Sequence, residues 1–475
     1  MNYSKTNNVT AYSVLIFFAS VLTFFIIYNA NWLVEDDFMF LRTTVLGKTI
    51  SSFAFTFKYG RFFPLALCDY NILLLIPFGT TATSHYIWMS CLYLFFIFSL
   101  YILFKKIYEI YFKEKGMSVG LWIVVTCILY MAAKFYSMYY NVIYPERITL
   151  ILMSLFIYFS LLFNNTEKWK YGIPALIFAA YMSYCKEPIS GALFVFALAN
   201  YLFAPNKSKK KKLFYWLLFA NFFIFISLYY FVVFKDATVL FSNANAAETT
   251  NLLTRFIKIM TGSKILLPAI IFALFRFYKI VIKHEKEYIF FDGLLFAGIA
   301  YFGALFLLNL TYTYYYYIVI LMVFPSLIFH SLRYFSSKYI LVVTAVLSLF
   351  FVQKQMRNIP TFQKNRTEAY EAMCIVADYV KNGYQLFWYE TDLPQDTGVR
   401  DWRKEAVSSY IDYLSKASIQ ISDISEPNFA SKTVILYPDE NNSNGQEADL
   451  FFEYVQKDNL QLKKKITGIS IYVSK

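Results

Sequence analysis

The 475 residues are poor in charge, in histidine and in the residues that punctuate soluble folds: 16% are Asp, Glu, Lys or Arg, and there are 3 His, 15 Gly and 12 Pro. About a quarter of a soluble domain is charged, so the composition excludes a water-soluble enzyme as the whole of this chain. The five cysteines, Cys68, Cys91, Cys127, Cys185 and Cys374, include no CxxC pair and four lie in or beside apolar runs. That pattern speaks against a disulfide or zinc framework. His85, His284 and His330 are dispersed, without metal-ligand spacing, which speaks against a histidine zinc site. Also missing are internal repeats, Walker and Rossmann glycine patterns, HExxH and GxSxG.

What the chain has is apolar length. Hydrophobic residues make up 58% of it, and runs of near 18 or more apolar residues recur, each enough to cross a hydrocarbon core about 30 Å thick. Spans are expected at 11–31, 83–104, 119–134, 148–163, 171–185, 188–204, 213–234, 265–282, 289–309, 315–330 and 338–352. The first has no small-residue cleavage site and reads as a retained helix. With a cytoplasmic N-terminus, Lys105 and Lys106, Lys168 and Lys170, the Lys207 to Lys212 cluster, Arg276 to Lys286, and Arg333 with Lys338 all fall in inside loops. That is the positive-inside rule. It also accounts for the formal charge of +13 without nucleic acid as a partner. The lipid bilayer is the main solvent.

Two segments need separate treatment. Pro64 to Gly79 is apolar but short, bounded by prolines, and carries Asp69, so an interfacial or re-entrant segment is expected. The run from Tyr171 to Phe203 is too long for one span, and Lys186-Glu187-Pro188 divides it at a tight external turn. After Val352 the pattern becomes mixed and charged, with helices expected at 362–382 and 403–417 and strands at Gln385 to Tyr389, Thr433 to Tyr437 and Ile466 to Val473. The expected fold is therefore an all-α polytopic membrane domain, residues 1–352 with a first external loop at 31–82, followed by a small α/β extracytoplasmic domain, 353–475.

Four charged motifs fall on the external side of this topology. Glu35, Asp36 and Asp37 stand together just after the first span. Carboxylates there can deprotonate a sugar hydroxyl, bind a divalent cation, or both; the plainer reading is a polar end to a helix. Lys58-Tyr59-Gly60-Arg61 leads into the short segment, and an arginine at that depth can grip phosphate or simply snorkel among aromatics. Tyr144-Pro145-Glu146-Arg147 abuts an apolar run, and Lys186-Glu187-Pro188 repeats the arrangement. Ionisable groups at a membrane edge are costly unless paired or used, so each motif reads either as an internal ion pair or as part of a site. The topology makes Arg61, Arg147 and Lys186 the candidates for phosphate contacts, with Tyr144, Glu146 and Glu187 in support.

This arrangement resembles the GT-C superfamily of membrane glycosyltransferases, in particular the bacterial serotype-converting, O-antigen glucosyltransferase-like branch. The architectural likeness covers nearly the whole chain; the motif likeness is confined to Glu35-Asp36-Asp37, Gly60-Arg61 and Pro64. The resemblance implies transfer of a sugar from an undecaprenyl-phosphate (polyprenyl-phosphate) donor to a surface glycan or glycolipid acceptor, in the bacterial inner (cytoplasmic) membrane. One of Glu35, Asp36 and Asp37 would be the general base. Some members use a divalent cation, Mg2+ or Mn2+, and others none, so whether Asp36 and Asp37 hold a metal stays open. The rivals are a transporter or flippase, which would place charges near the bilayer midplane, often in repeated halves, and a polymerase or ligase of lipid-linked glycans.

Overall fold

The computed structural model describes residues 2–32, 45, 47–49, 62–113, 117–141, 144, 146–205, 208–234, 256–257, 265–307, 316–389, 397–416, 422–423, 432–438, 455, 460–466 and 469–474. The chain forms two compact units. One contains Met1–Ile26, Ser51–Asp69 and Ile87–Gln355, the other Ile27–Ile50, Tyr70–Tyr86 and Met356–Lys475.

The first unit is helical: α1 (Asn2–Ile27), α2 (Ala82–Tyr111), α3 (Met117–Tyr140), α4 (Glu146–Thr166), α5 (Trp169–Cys185), α6 (Pro188–Phe203), α7 (Lys209–Tyr229, continued by a π turn Tyr230–Phe234), α8 (Leu266–Val281), α9 (Ile289–Leu307), α10 (Tyr317–Tyr334) and the first part of α11 (Ser337–Lys381). Eight helices among the described residues are long and apolar enough to cross a membrane: α1, α2, α3, α4, α7, α9, α10 and α11. The other three, α5, α6 and α8, have only 17, 16 and 16 residues and stand where short spans are expected.

Local chemistry sets the boundaries. Pro188 opens α6, where its missing N–H costs nothing, and the Ser208 side chain caps α7 by accepting from the Lys211 amide. Glu146 in the first turn of α4 complements the positive end of the helix. Small residues let helices close up: a Cβ at Gly293 on α9 would collide with the Asn200 amide on α6, and one at Gly298 would stand 2.6 Å from Val323 Cγ2 on α10. Asn200 lies near the end of α6 away from Glu187, so Gly293 marks the end of the unit opposite the α5–α6 turn.

Residues 68–75 form a 3-10 helix of eight residues between turns. At about 2.0 Å per residue it is roughly 16 Å long, too short to cross, in keeping with the interfacial expectation. The helices expected at 338–352 and 362–382 are in fact one: α11 runs unbroken for 45 residues with Pro360 inside it. The change in polarity after Val352 is a change of surroundings along a single helix, not a helix end.

The second unit carries a five-stranded mixed sheet, order β2-β1-β3-β5-β4, built from β1 (Gln385–Trp388), β2 (Ser422–Asp423), β3 (Thr433–Pro438), β4 (Leu460–Ile466) and β5 (Ile469–Ser474), with α12 (Thr397–Ser415) following β1. β1 pairs in parallel with β2 and β3, while β5 runs antiparallel to both β3 and β4. Ile435, Tyr437, Leu460 and Tyr472 form a buried cluster on it. Strands β2 and β4 were not expected. Away from the sheet, the Arg366 guanidinium lies 3.7 Å over the Tyr86 ring, and Tyr410 Oη donates to the Trp32 carbonyl at 3.1 Å. Burial pushes the Tyr410 phenol well above its ordinary range.

Candidate functional site

The first unit gathers charged groups from three separated segments at the ends of α4, α5 and α6. Glu146 and Arg147 are the first two residues of α4, and Lys186 and Glu187 occupy the turn between α5 and α6. Adjacent residues on a helix do not face one another, so these neighbours find partners elsewhere. Arg147 Nη2 lies 2.8 and 2.7 Å from the two carboxylate oxygens of Asp69, and its Nη1 donates to the Tyr144 carbonyl at 2.8 Å. Trp88 Nε1 donates to Asp69 Oδ2 at 2.9 Å, and Tyr139 Oη donates to the Arg147 carbonyl at 2.9 Å. Lys186 Nζ donates to Glu146 Oε1 at 2.6 Å.

Burial makes these pairs consequential. Arg147 is 0% exposed, Glu146 1% and Lys186 4%; the Asp69 side chain keeps 11%. Removing one partner from a buried pair leaves an uncompensated charge and costs about 3–5 kcal/mol. The pairing thus corrects the plainer expectation of internal pairs: Glu146 does not neutralise Arg147, nor Glu187 Lys186. Each motif instead ties its helix to a distant segment.

Glu187 has its own task. Its Oε1 accepts from the Phe62 amide at 3.0 Å, and the Leu65 amide donates to the Tyr184 carbonyl at 3.1 Å. Phe62 is buried with Phe225 and Val233, beside Tyr184 and Tyr229, its ring centroid 5.7 Å from that of Phe225 and 6.0 Å from that of Tyr184. The chain that follows the Gly60-Arg61 motif is therefore fastened to the α5–α6 turn. Arg61 itself lies outside the described residues, and so do Glu35, Asp36 and Asp37.

Of the residues singled out in the sequence, Tyr144, Glu146, Arg147, Lys186 and Glu187 stand at one set of helix ends, in three groups linked by chain neighbours: Asp69 with Arg147 and Tyr144, Glu146 with Lys186, and Glu187 with the Phe62 amide. Asp69 and Trp88 are members that sequence reasoning did not assign a role. The signal for Asp69 was present, as an acid inside an apolar segment bounded by Pro64 and Pro77; nothing in the sequence marked Trp88.

Among the described residues, three carboxylates, Asp69, Glu146 and Glu187, stand with two cations, Arg147 and Lys186. Both cations already hold carboxylates, so either could take a phosphate only by exchanging or sharing its partner. Glu146 Oε2 is buried and has no hydrogen-bond partner among the described residues, leaving an acceptor for a hydroxyl or a water. No three of His, Cys, Asp and Glu converge to hold a metal ion among the described residues; Asp36 and Asp37 are outside them.

A second buried charged group lies at the opposite end of the unit. Arg276 Nε and Nη2 donate to the two oxygens of Asp292 at 2.7 and 2.8 Å, and His330 Nε2 stands 3.1 Å from Asp292 Oδ1, outside hydrogen-bond geometry. These residues staple α8, α9 and α10 within about a turn of their ends. No protein-family model matches this chain, and no curated protein matches it.

Proposed function

We propose that this chain is an integral membrane glycosyltransferase of GT-C type, a hexosyltransferase that moves a sugar from an undecaprenyl-phosphate-linked donor to a cell-surface glycan or glycolipid. The observation that carries the reading is the convergence of Asp69, Tyr144, Glu146, Arg147, Lys186 and Glu187, with Phe62, at one set of helix ends. A transferase working on a lipid-linked donor at a membrane surface needs charge concentrated at one face. A transporter needs ionisable groups near the midplane of repeated halves. Here Glu146 and Arg147 open α4 and Lys186 and Glu187 occupy the α5–α6 turn, so these buried pairs lie at helix ends and not midway along them. The eleven-span topology, with an external first loop and an external C-terminal region, is part of the same proposal.

In the proposed reaction one of Glu35, Asp36 and Asp37 takes the proton of the acceptor hydroxyl as that oxygen attacks the anomeric carbon. The bond from that carbon to the donor phosphate breaks, and the lipid phosphate leaves with its electron pair. A base in this position supplies about 10²- to 10⁴-fold, and cations preorganised at the leaving phosphate lower the barrier further. Arg61 is the direct phosphate contact in this scheme. Arg147 and Lys186 shape the site through their carboxylates and reach phosphate by sharing them. A divalent cation at Asp36 and Asp37 would offset charge on the leaving phosphate. The test is to supply purified protein with radiolabelled polyprenyl-phosphate sugars and membrane extract. Label should pass to a glycan or glycolipid, and its retention on the lipid carrier with every sugar tried would overturn the reading.

A further inference from the structure

Lys134 is a cation inside an apolar helix. It stands on α3 six residues before the helix ends at Tyr140, about 9 Å along the axis, at the end of the unit that leads into Glu146. Its Nζ lies 4.9 Å from the Phe351 ring centroid on α11 and 5.8 Å from that of Tyr317 on α10, and Tyr317 Oη is itself 3.1 Å from Ser137 Oγ. The neighbouring charge is another cation, Lys354. Among the described residues no carboxylate pairs with either lysine. Arg147, Lys186 and Arg276 each hold a carboxylate; Lys134 has ring faces and the like charge of Lys354 instead.

The lipid side of the pair is as informative. Val342, Val346 and Phe350 are exposed at 61%, 60% and 53%. They follow one another at four-residue spacing along α11, a row that lies on one helix face, and the next position in it is the exposed Lys354. An apolar stripe that ends in two unneutralised cations fits a molecule with a hydrocarbon chain and an anionic head. We propose that Lys134 and Lys354 bind the phosphate of an anionic phospholipid whose acyl chain lies along Val342, Val346 and Phe350. The site takes its ligand from the surrounding bilayer and does not depend on the sugar-transfer reading.

Native mass spectrometry of the full chain, released from detergent with added phosphatidylglycerol or phosphatidylcholine of matched chains, tests this. Each lysine near a membrane surface contributes about 1 kcal/mol toward anionic lipid, so Lys134→Gln with Lys354→Gln should weaken phosphatidylglycerol retention about thirty-fold. Lys134→Arg with Lys354→Arg should keep it. Lys338→Gln, near the start of α11 and 16 residues before Lys354, should leave it within two-fold, and phosphatidylcholine should not be retained by any variant. Because Lys354 is exposed, Lys354→Gln alone reports on the site if the double variant does not fold. Equal retention of phosphatidylglycerol by wild type and Lys354→Gln, equal retention of the two lipids, or retention of a polyprenyl phosphate in preference to phosphatidylglycerol would each overturn the assignment.

Discussion

Asp69 is the residue whose removal should damage the network most. Asp69→Ala takes both oxygens from an arginine that is 0% exposed and the acceptor from Trp88 Nε1. Breaking a buried ion pair costs about 3–5 kcal/mol, and because Arg147 keeps the Tyr144 carbonyl and the Asp69 side chain keeps 11% of its surface open, the lower half of that range is expected. Asp69→Asn retains an acceptor oxygen but not the charge, and should cost about 1.5–3 kcal/mol, the worth of a hydrogen bond to a charged group. Arg147→Met removes the guanidinium and leaves Asp69 with Trp88 and partial solvent, so it should cost less than Asp69→Ala. The double variant Asp69→Ala with Arg147→Met should then be more stable than the two single losses added together. Unfolding in mixed micelles, followed by circular dichroism, gives the four free energies of the cycle. If the single losses sum to the double within about 0.5 kcal/mol, the residues are independent, and the ion pair does not hold this segment.

Four further outcomes follow from the same structure. Glu146→Gln should destabilise by about 3 kcal/mol in the same assay, because it removes the carboxylate charge 2.6 Å from the buried Lys186 ammonium, whereas Glu146→Leu with Lys186→Met should recover most of that. Gly298→Leu should lower the yield of folded protein and cost about 1–3 kcal/mol, since the added side chain meets Val323 and the Val319 carbonyl oxygen. Tyr410→Phe should cost about 1 kcal/mol through the lost bond to Trp32. The raised Tyr410 phenol stays protonated in the folded chain while an unfolded tyrosine ionises near pH 10, so its contribution is whole below that pH and shrinks as pH rises above it; a wild-type advantage over Tyr410→Phe that stays constant to pH 11 would refute this. In a cysteine-free background, Glu440→Cys should react with an impermeant maleimide on intact cells, and protection there would reverse the proposed sidedness.

The helical framework was legible because apolar run length and Pro188 state it directly: spans expected at 188–204, 265–282 and 289–309 stand at Pro188–Phe203, Leu266–Val281 and Ile289–Leu307. The run through α11 misled because polarity changes at Val352 while helix-compatible residues continue, through Pro360, to Lys381. Strand β4 was hidden by Lys463, Lys464 and Lys465, charges that suit a sheet edge and read as solvated loop.

In the candidate site, the sequence could put Glu146, Arg147, Lys186 and Glu187 at helix ends, because charged residues interrupt apolar runs there. It could not say who pairs with whom. Adjacent opposite charges suggest internal neutralisation, yet helix geometry turns them apart, and Arg147 reaches Asp69 across 78 positions of chain. Such pairings are set by packing and leave no periodic trace.

The proposal that the chain transfers sugars from a lipid phosphate is tested most directly at the loop carboxylates. The measurement is transfer of labelled sugar by purified wild type beside Glu35→Gln, Asp36→Asn and Asp37→Asn. The account predicts that wild type transfers and that at least one variant loses about 10²-fold or more of the rate while remaining folded. Transfer at the wild-type rate by all three variants would contradict it.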